Sequence, residues 1–281
     1  MHNQKIFAIL ILLLASLLLS ACGTFEVGIE QATPTPAPGV PGPLGAVAYI
    51  DGGDIWIKPL PDGAPWRITF DGRSSDPEWS ASGTWIAFRK ENRLWLINSD
   101  GSSAHPFPNQ DSSWGVEYAW SPVGDRLAFF YYGPSILIAE GDALSRAFPT
   151  SDDMDKMYLF QPGDRPEGTD VQFHGLAWSV DGTQIATVMT RYGPEANEQG
   201  SLLPSYAGIW TIDSRIGSEA SERYAAPSPP PDNLILGAWS PTSTTIYAWR
   251  DTGWSGKQDD GLPLVRLDLD PGKMEELPYT T

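Results

Sequence analysis

The chain has 281 residues, with 18 Lys and Arg against 35 Asp and Glu, a formal net charge of −17; phosphate contacts need a basic face, so nucleic acid is not an expected partner. One Cys leaves no internal disulfide and no cysteine-cluster metal site, and three His leave little for imidazole chemistry. Gly (28), Pro (26) and Trp (12) are frequent and 41% of residues are hydrophobic, which describes a turn-rich, strand-rich globular chain.

The N-terminus reads as an address. After Lys5, an apolar run from Ile6 to Leu19 is interrupted only by Ser16. It is shorter than the ~20 residues of a bilayer span and fits a signal-peptide core. The run ends in Leu19-Ser20-Ala21-Cys22, which resembles the bacterial lipobox. The resemblance implies that 1–21 is a lipoprotein signal peptide and that Cys22 is acylated as the first mature residue. The alternative is an ordinary secretory signal with a chance cysteine. An acylated Cys22 would hold the protein on the outer face of the cell membrane, or in the outer membrane. Several acyl chains anchor stably where one is marginal, at ~0.8 kcal/mol per buried CH₂. The rest of 22–45 is rich in proline and reads as an extended spacer.

From residue 46 onward the chain repeats. Trp-Ser recurs at 79–80, 120–121, 178–179 and 239–240, in WSASGTWIAF, WSPVGDRLAF, WSVDGTQIAT and WSPTSTTIYA. Each pair opens a turn that leads into an apolar strand. A second strand follows, as at Leu94-Trp95-Leu96, then a polar turn and a last strand. Before the first Trp-Ser the same order appears without its opening strand: Val47-Ala48-Tyr49, Ile55-Trp56-Ile57, then Trp66-Arg67-Ile68-Thr69. A four-stranded sheet buries too little alone, and radial stacking buries both of its faces. The expected fold is therefore all-β, a β-propeller over 46–281 with about five four-stranded blades, the first incomplete, and 19 strands. The pattern W-S-P-x-G-x-x-[IL]-A-F, with its downstream Ile/Leu-Trp strand and Asp-Gly turn, resembles the TolB-like, WD-repeat-like propeller repeat. That repeat also occurs in propeller domains of prolyl-oligopeptidase-type peptidases. The chain has no room for TolB's separate α/β domain and no hydrolase domain follows, so neither TolB's partner nor peptidase activity is implied. Closure is open between an incomplete ring, a strand from Phe25–Ile29, and a shortened six-bladed relative.

The motif tryptophans Trp79, Trp120, Trp178 and Trp239 are expected to pack between blades with their indole N–H satisfied locally. Trp56, Trp95 and Trp210 take the same reading. Trp114 and Trp254 match no repeat position and read either as exposed binding residues or as rings folded back onto a blade. Gly253-Trp254-Ser255-Gly256 has its second Gly one place too early for a nucleophile elbow. His105 falls in a last strand and His174 just before an opening strand, both as structural residues. Asp152-Asp153-Met154-Asp155 lacks a recognisable Ca²⁺ spacing. No catalytic residue, metal or cofactor is expected.

Irregular length concentrates at about 149–175, 190–207 and 250–262, and strand order places these connections on one face. They carry many acids, among them Asp152, Asp153, Asp155, Glu195, Asp259 and Asp260, and aromatics that include Tyr192 and Trp254. Acids around aromatic anchors suit a basic protein patch or a sugar. The expected ligand site is therefore Trp254, Asp259, Asp260, Asp152, Asp153, Asp155, Glu195, Tyr192 and Trp114. The expected function is non-catalytic capture of an envelope protein, peptide or glycan by a membrane-anchored monomer. The alternative is a propeller lyase or hydrolase acting on polysaccharide.

Overall fold

A computed structural model describes residues 45–107, 116–131, 135–146, 157–160, 170–196, 202–215, 219–226, 233–251 and 262–278. All belong to one compact unit, Pro38–Thr281. The signal peptide, Cys22, Phe25–Ile29 and the spacer up to residue 44 lie outside them.

Five antiparallel sheets follow one another along the chain. The first holds β1 (Ala46–Asp51), β2 (Asp54–Pro59) and β3 (Trp66–Arg67), and the second β4 (Ser74–Trp79), β5 (Trp85–Lys90), β6 (Arg93–Asn98) and β7 (His105–Pro106). The third holds β8 (Tyr118–Trp120), β9 (Arg126–Tyr131), β10 (Ser135–Glu140) and β11 (Tyr158–Phe160). The fourth holds β12 (Asp170–Trp178), β13 (Gln184–Ala196), β14 (Leu202–Asp213) and β15 (Ala220–Ala225). The fifth holds β16 (Asn233–Trp239), β17 (Thr245–Asp251), β18 (Leu264–Asp268) and β19 (Lys273–Glu276). Strands pair in chain order within every sheet, so each blade is a meander. The nineteen strands among the described residues match the expected count, and the first blade shows three of them.

Period-2 alternation explains how the sheets stack. On β9, Leu127 and Phe129 join a core cluster shared with the second blade, while Ala128 joins one shared with the fourth. On β5, Ile86 and Phe88 face the first blade and Ala87 the third. Each fully buried residue of this kind contributes about 1.5–3 kcal/mol. Clusters of this type join blades one and two, two and three, three and four, and four and five. Large apolar side chains remain exposed on the terminal blades, with Val47 at 44%, Ile235 at 42% and Trp249 at 40%.

The Trp-Ser motif has two structural jobs. Its serine closes the turn: Trp85 N donates to Ser80 Oγ at 3.1 Å, Gln184 N to Ser179 Oγ at 2.9 Å and Thr245 N to Ser240 Oγ at 3.2 Å. Its tryptophan reaches the preceding blade. Trp120 Nε1 donates to the Glu78 carbonyl at 3.1 Å, Trp178 Nε1 to Ala119 at 3.0 Å and Trp239 Nε1 to Ala177 at 2.9 Å. In all three the acceptor precedes the motif tryptophan of the earlier blade. Trp79 would need such an acceptor in the first blade, and its Nε1 is buried without a partner. Among the described residues, the expectation of local satisfaction thus holds for three motif tryptophans and not for the fourth, for which no strand preceding β1 supplies an acceptor.

The expected long connections differ in part. Residues 190–196 and 202–207 are strand, extending the β13–β14 hairpin until Ala196 pairs with Leu202. Within 149–175, β11 lies at 158–160 and β12 begins at Asp170. Much of the surplus in the third blade therefore joins its third strand to its fourth, a connection that leaves the opposite face. The three stretches do not share one face as unbroken loops. His174 lies inside β12, not ahead of it.

Candidate functional site

Of the nine expected ligand residues, Trp114, Asp152, Asp153, Asp155, Trp254, Asp259 and Asp260 lie outside the described residues. Tyr192 and Glu195 both lie on β13, toward the end of the long hairpin. Glu195 is exposed. Tyr192 is half-buried opposite Asp170, and burial followed by the charge of Asp170 raises its phenol pKa. The hairpin carries its own polar cluster. Tyr206 Oη donates to Glu222 at 2.6 Å and accepts from Trp210 Nε1 at 3.0 Å, with the Arg191 guanidinium 5.5 Å from its ring centre. The Tyr206 hydroxyl and the Trp210 indole both find partners inside the cluster, so it reads as bracing for the extended strands.

A second constellation forms where the first strands of blades two, three and four meet. A cleft of about 390 Å³ is lined by Asp76 and Glu78 of β4, Arg89 of β5, Glu117 and Tyr118 at the start of β8, and Leu176 of β12. Backbone irregularity shapes it. The β4–β5 register shifts between Ser75 and Glu78, and the β12–β13 register shifts between His174 and Ala177. Bulges of this kind re-aim side chains. Asp76, on the β4 bulge, adopts a φ of +49°. Three residues before the motif tryptophan, blade four has Gly175 at +70°, where a Cβ would lie 2.7 Å from Leu236. A non-glycine residue held in the left-handed region marks a position where strain is tolerated for another reason.

The electrostatics are uneven. Arg89 NH1 lies 3.6 Å from Asp76, and its Nε is buried without a partner. Glu117 accepts from Gly175 N at 2.5 Å, and Tyr118 Oη donates to the Asp76 carbonyl. Glu78 is an exposed residue of β4 that the cleft partly surrounds. That partial desolvation, outweighing the attraction of Arg89, pushes its carboxyl up to about 7. Desolvation also raises the Glu117 carboxyl, against the hydrogen bond from Gly175. The Tyr118 phenol is raised by burial, with Glu78 adding to it. Three carboxyls thus share one guanidinium, and two hold their charge reluctantly. A cation entering the cleft would relieve both.

These residues carry a readable sequence signal inside the repeat, away from the long connections. Asp76 and Glu117 occupy one repeat position, three residues before the motif tryptophan. Glu78 precedes Trp79 where the other repeats have Ala119, Ala177 and Ala238. An acid replacing a repeated alanine on an inner strand is not explained by blade packing. Among the described residues, no group of three or more His, Cys, Asp or Glu converges closely enough to hold a metal ion.

With one three-stranded and four four-stranded meanders stacked in chain order, and their interblade tryptophan bonds in view, the architecture is decided. The fold is a β-propeller. No protein-family model and no curated protein sequence matches the chain. Among solved structures it is similar to an oligogalacturonate lyase in complex with manganese, at 12% identity and TM-score 0.51 over 85% of this chain and 60% of that one. It is also similar to a TolB protein from Agrobacterium tumefaciens, at 15% identity and TM-score 0.44 over 77% and 66%. A third is the propeller domain of the Trilobed protease from Pyrococcus furiosus, at 11% and 0.42 over 79% and 64%. This propeller spans between 60% and 66% of the length of those chains. At such identities the likeness is one of fold alone.

Proposed function

We propose that this propeller is a binding protein of the cell envelope, anchored through acylated Cys22, which captures a cationic group of a protein or peptide in the cleft between blades two, three and four. The observation that carries the reading is the set of three carboxyls around Arg89, of which Glu78 is pushed up to about 7 by desolvation. A carboxylate that resists ionisation in the free protein gains most from an incoming ammonium or guanidinium. The net charge of −17 supports the same partner, because a strong negative field steers basic surfaces toward the protein. A neutral glycan would use the carboxylates as acceptors and respond little to salt. Glu78→Gln with Glu117→Gln should weaken binding of a lysine-rich peptide about tenfold, and the parent's affinity should fall as salt rises. Equal affinity in parent and double variant refutes the cleft as the site.

A second reading has one observation in its favour. A carboxyl near 7 beside a tyrosine and an arginine is also what a general acid requires, and the protein would then cleave a polysaccharide. Turnover on a panel of acidic and neutral polysaccharides, lost in Glu78→Gln, would establish it.

A further inference from the structure

Two oppositely charged groups share the cleft without bonding to each other. Arg89 carries five N–H donors. Its Nε is buried without a partner, and its NH1 lies 3.6 Å from Asp76, an ion pair too long for a hydrogen bond. The side chain is still 40% exposed. The Glu78 carboxylate, in the same lining, accepts no hydrogen bond from any described residue. Register explains the gap between the two. Ser75 pairs with Arg89 and Glu78 with Ala87, with the bulge of β4 between them. Glu78 and Arg89 therefore sit on one face of the second blade as diagonal neighbours, a placement that separates backbones by about 7–8 Å.

The other polar groups of the lining have partners. Asp76 Oδ2 accepts from the Ser75 hydroxyl at 3.0 Å, and Tyr118 Oη donates to the Asp76 carbonyl. Glu117 Oε2 accepts from Gly175 N at 2.5 Å, which leaves its second oxygen beside Glu78 in the lining. A guanidinium without hydrogen bonds matches a carboxylate, which can accept two of its N–H groups in parallel. A pair of carboxyls matches an ammonium or a second guanidinium. A simple amine would leave Arg89 unmet, and a simple anion would face three carboxyls. One ligand serves both ends if it carries an anion and a cation joined by a short stem. Lysine and arginine with a free α-carboxylate have that form, and Leu176 is the apolar wall for the stem. A cleft of about 390 Å³ lies at the small end of ligand pockets, which run from ~300 to ~1,000 Å³, and suits a single residue.

We propose that the cleft recognises a basic amino acid whose α-carboxylate is free, with that carboxylate on Arg89 and the side-chain cation between Glu78 and Glu117. A peptide ending in lysine or arginine and the free amino acid both present this chemistry. The proposal rests on the cationic-ligand reading above and adds to it the requirement for an anion.

The test uses the full mature protein in detergent and isothermal titration calorimetry. The probes are acetyl-Gly-Gly-Lys with a free C-terminus, the same peptide as its C-terminal amide, and free lysine. The acid should bind about tenfold tighter than the amide, as one charge-assisted pair warrants. The acid with norleucine in place of lysine, which lacks the cation, should not bind. Arg89→Gln should bring acid and amide to equal affinity, and Glu78→Gln with Glu117→Gln should weaken both alike. Tighter binding of the peptide acid than of free lysine assigns the ligand to a chain end, and the reverse order assigns it to the free amino acid. Equal affinity for acid and amide in the parent, lost in the double variant, overturns the anion requirement and leaves the cationic reading standing. A preference for the acid that survives Arg89→Gln overturns the role of Arg89. Melting temperatures accompany each variant, and where Arg89→Gln does not fold, the parent's ratio of acid to amide decides. No binding of any probe overturns both readings.

Discussion

The motif tryptophans allow a differential test in which one and the same substitution is made at each repeat position. Trp→Phe at 120, 178 or 239 removes an indole N–H that donates to a backbone carbonyl of the preceding blade at 2.9–3.1 Å. Each loses a hydrogen bond worth about 0.5–1.5 kcal/mol and leaves a carbonyl unmatched, in addition to the lost ring area. Trp178 also loses part of its contact with Arg126, whose guanidinium sits 5.0 Å from the indole centre. At Trp79 the same substitution removes a buried donor that has no partner. Leaving such a donor unmade costs about 1–3 kcal/mol, so deleting it offsets the smaller ring. Trp178→Phe and Trp239→Phe should therefore lower stability by about 2–3 kcal/mol and Trp79→Phe by less than about 1 kcal/mol. Urea unfolding followed by far-UV circular dichroism measures the difference, which corresponds to roughly 2–4 °C in Tm per kcal/mol for a domain of this size. Four equal losses would refute the reasoning, because they would mean that Trp79 has an acceptor after all.

Further outcomes follow from the same geometry. Glu78 and His174 should impose opposite pH dependences on stability. The Glu78 carboxyl, raised to about 7 from 4.5, keeps its proton in the fold where the unfolded chain has lost it, so its contribution to stability falls as pH rises from 4.5 to 7. Glu78→Gln should flatten that slope in a stability–pH series. Burial lowers the His174 pKa from 6.5, so its contribution is lost as pH falls below 6.5, and His174→Gln should flatten the acid limb. Arg126 clamps blade three to blade four through Gly182 and Ser214, at 2.6–3.2 Å. Arg126→Lys cannot reproduce that fork and should cost about 1.5–3 kcal/mol in urea unfolding, whereas Arg215→Lys, on an exposed pair with Asp213, should cost under 1 kcal/mol. Cys22→Ser should move the protein from the detergent phase to the soluble or unprocessed fraction, and unchanged partitioning of a processed variant would refute lipidation.

The propeller was legible because its strands are short, alternate cleanly and are punctuated by one dipeptide. Trp-Ser marks the end of each opening strand, so the three-stranded first sheet seen among the described residues could be read from the absence of a motif before Val47. The long hairpin of blade four was not legible. Pro194 and Gly193 break the strand pattern, yet pairing across to β14 carries the ladder past them to Ala196. The outer strand of blade three was misplaced for a similar reason, since Tyr158–Phe160 is too short to stand out. The cleft leaves no mark in the chain length between motifs. Its acids lie on inner strands, inside the repeat, where only a position-by-position comparison shows Glu78 standing in an alanine column.

The direction of the tryptophan bonds bears on how the protein is made. In every described case the acceptor lies in the earlier blade and the donor in the later one. During synthesis each indole therefore emerges after its carbonyl already exists, and a new blade docks onto a finished neighbour. Repeat arrays whose contacts run between adjacent units fold by such propagation. Among the described residues, Trp79 is the one motif tryptophan with no earlier carbonyl to receive its N–H. Each later blade, by contrast, docks onto a neighbour that already carries the acceptor for its indole.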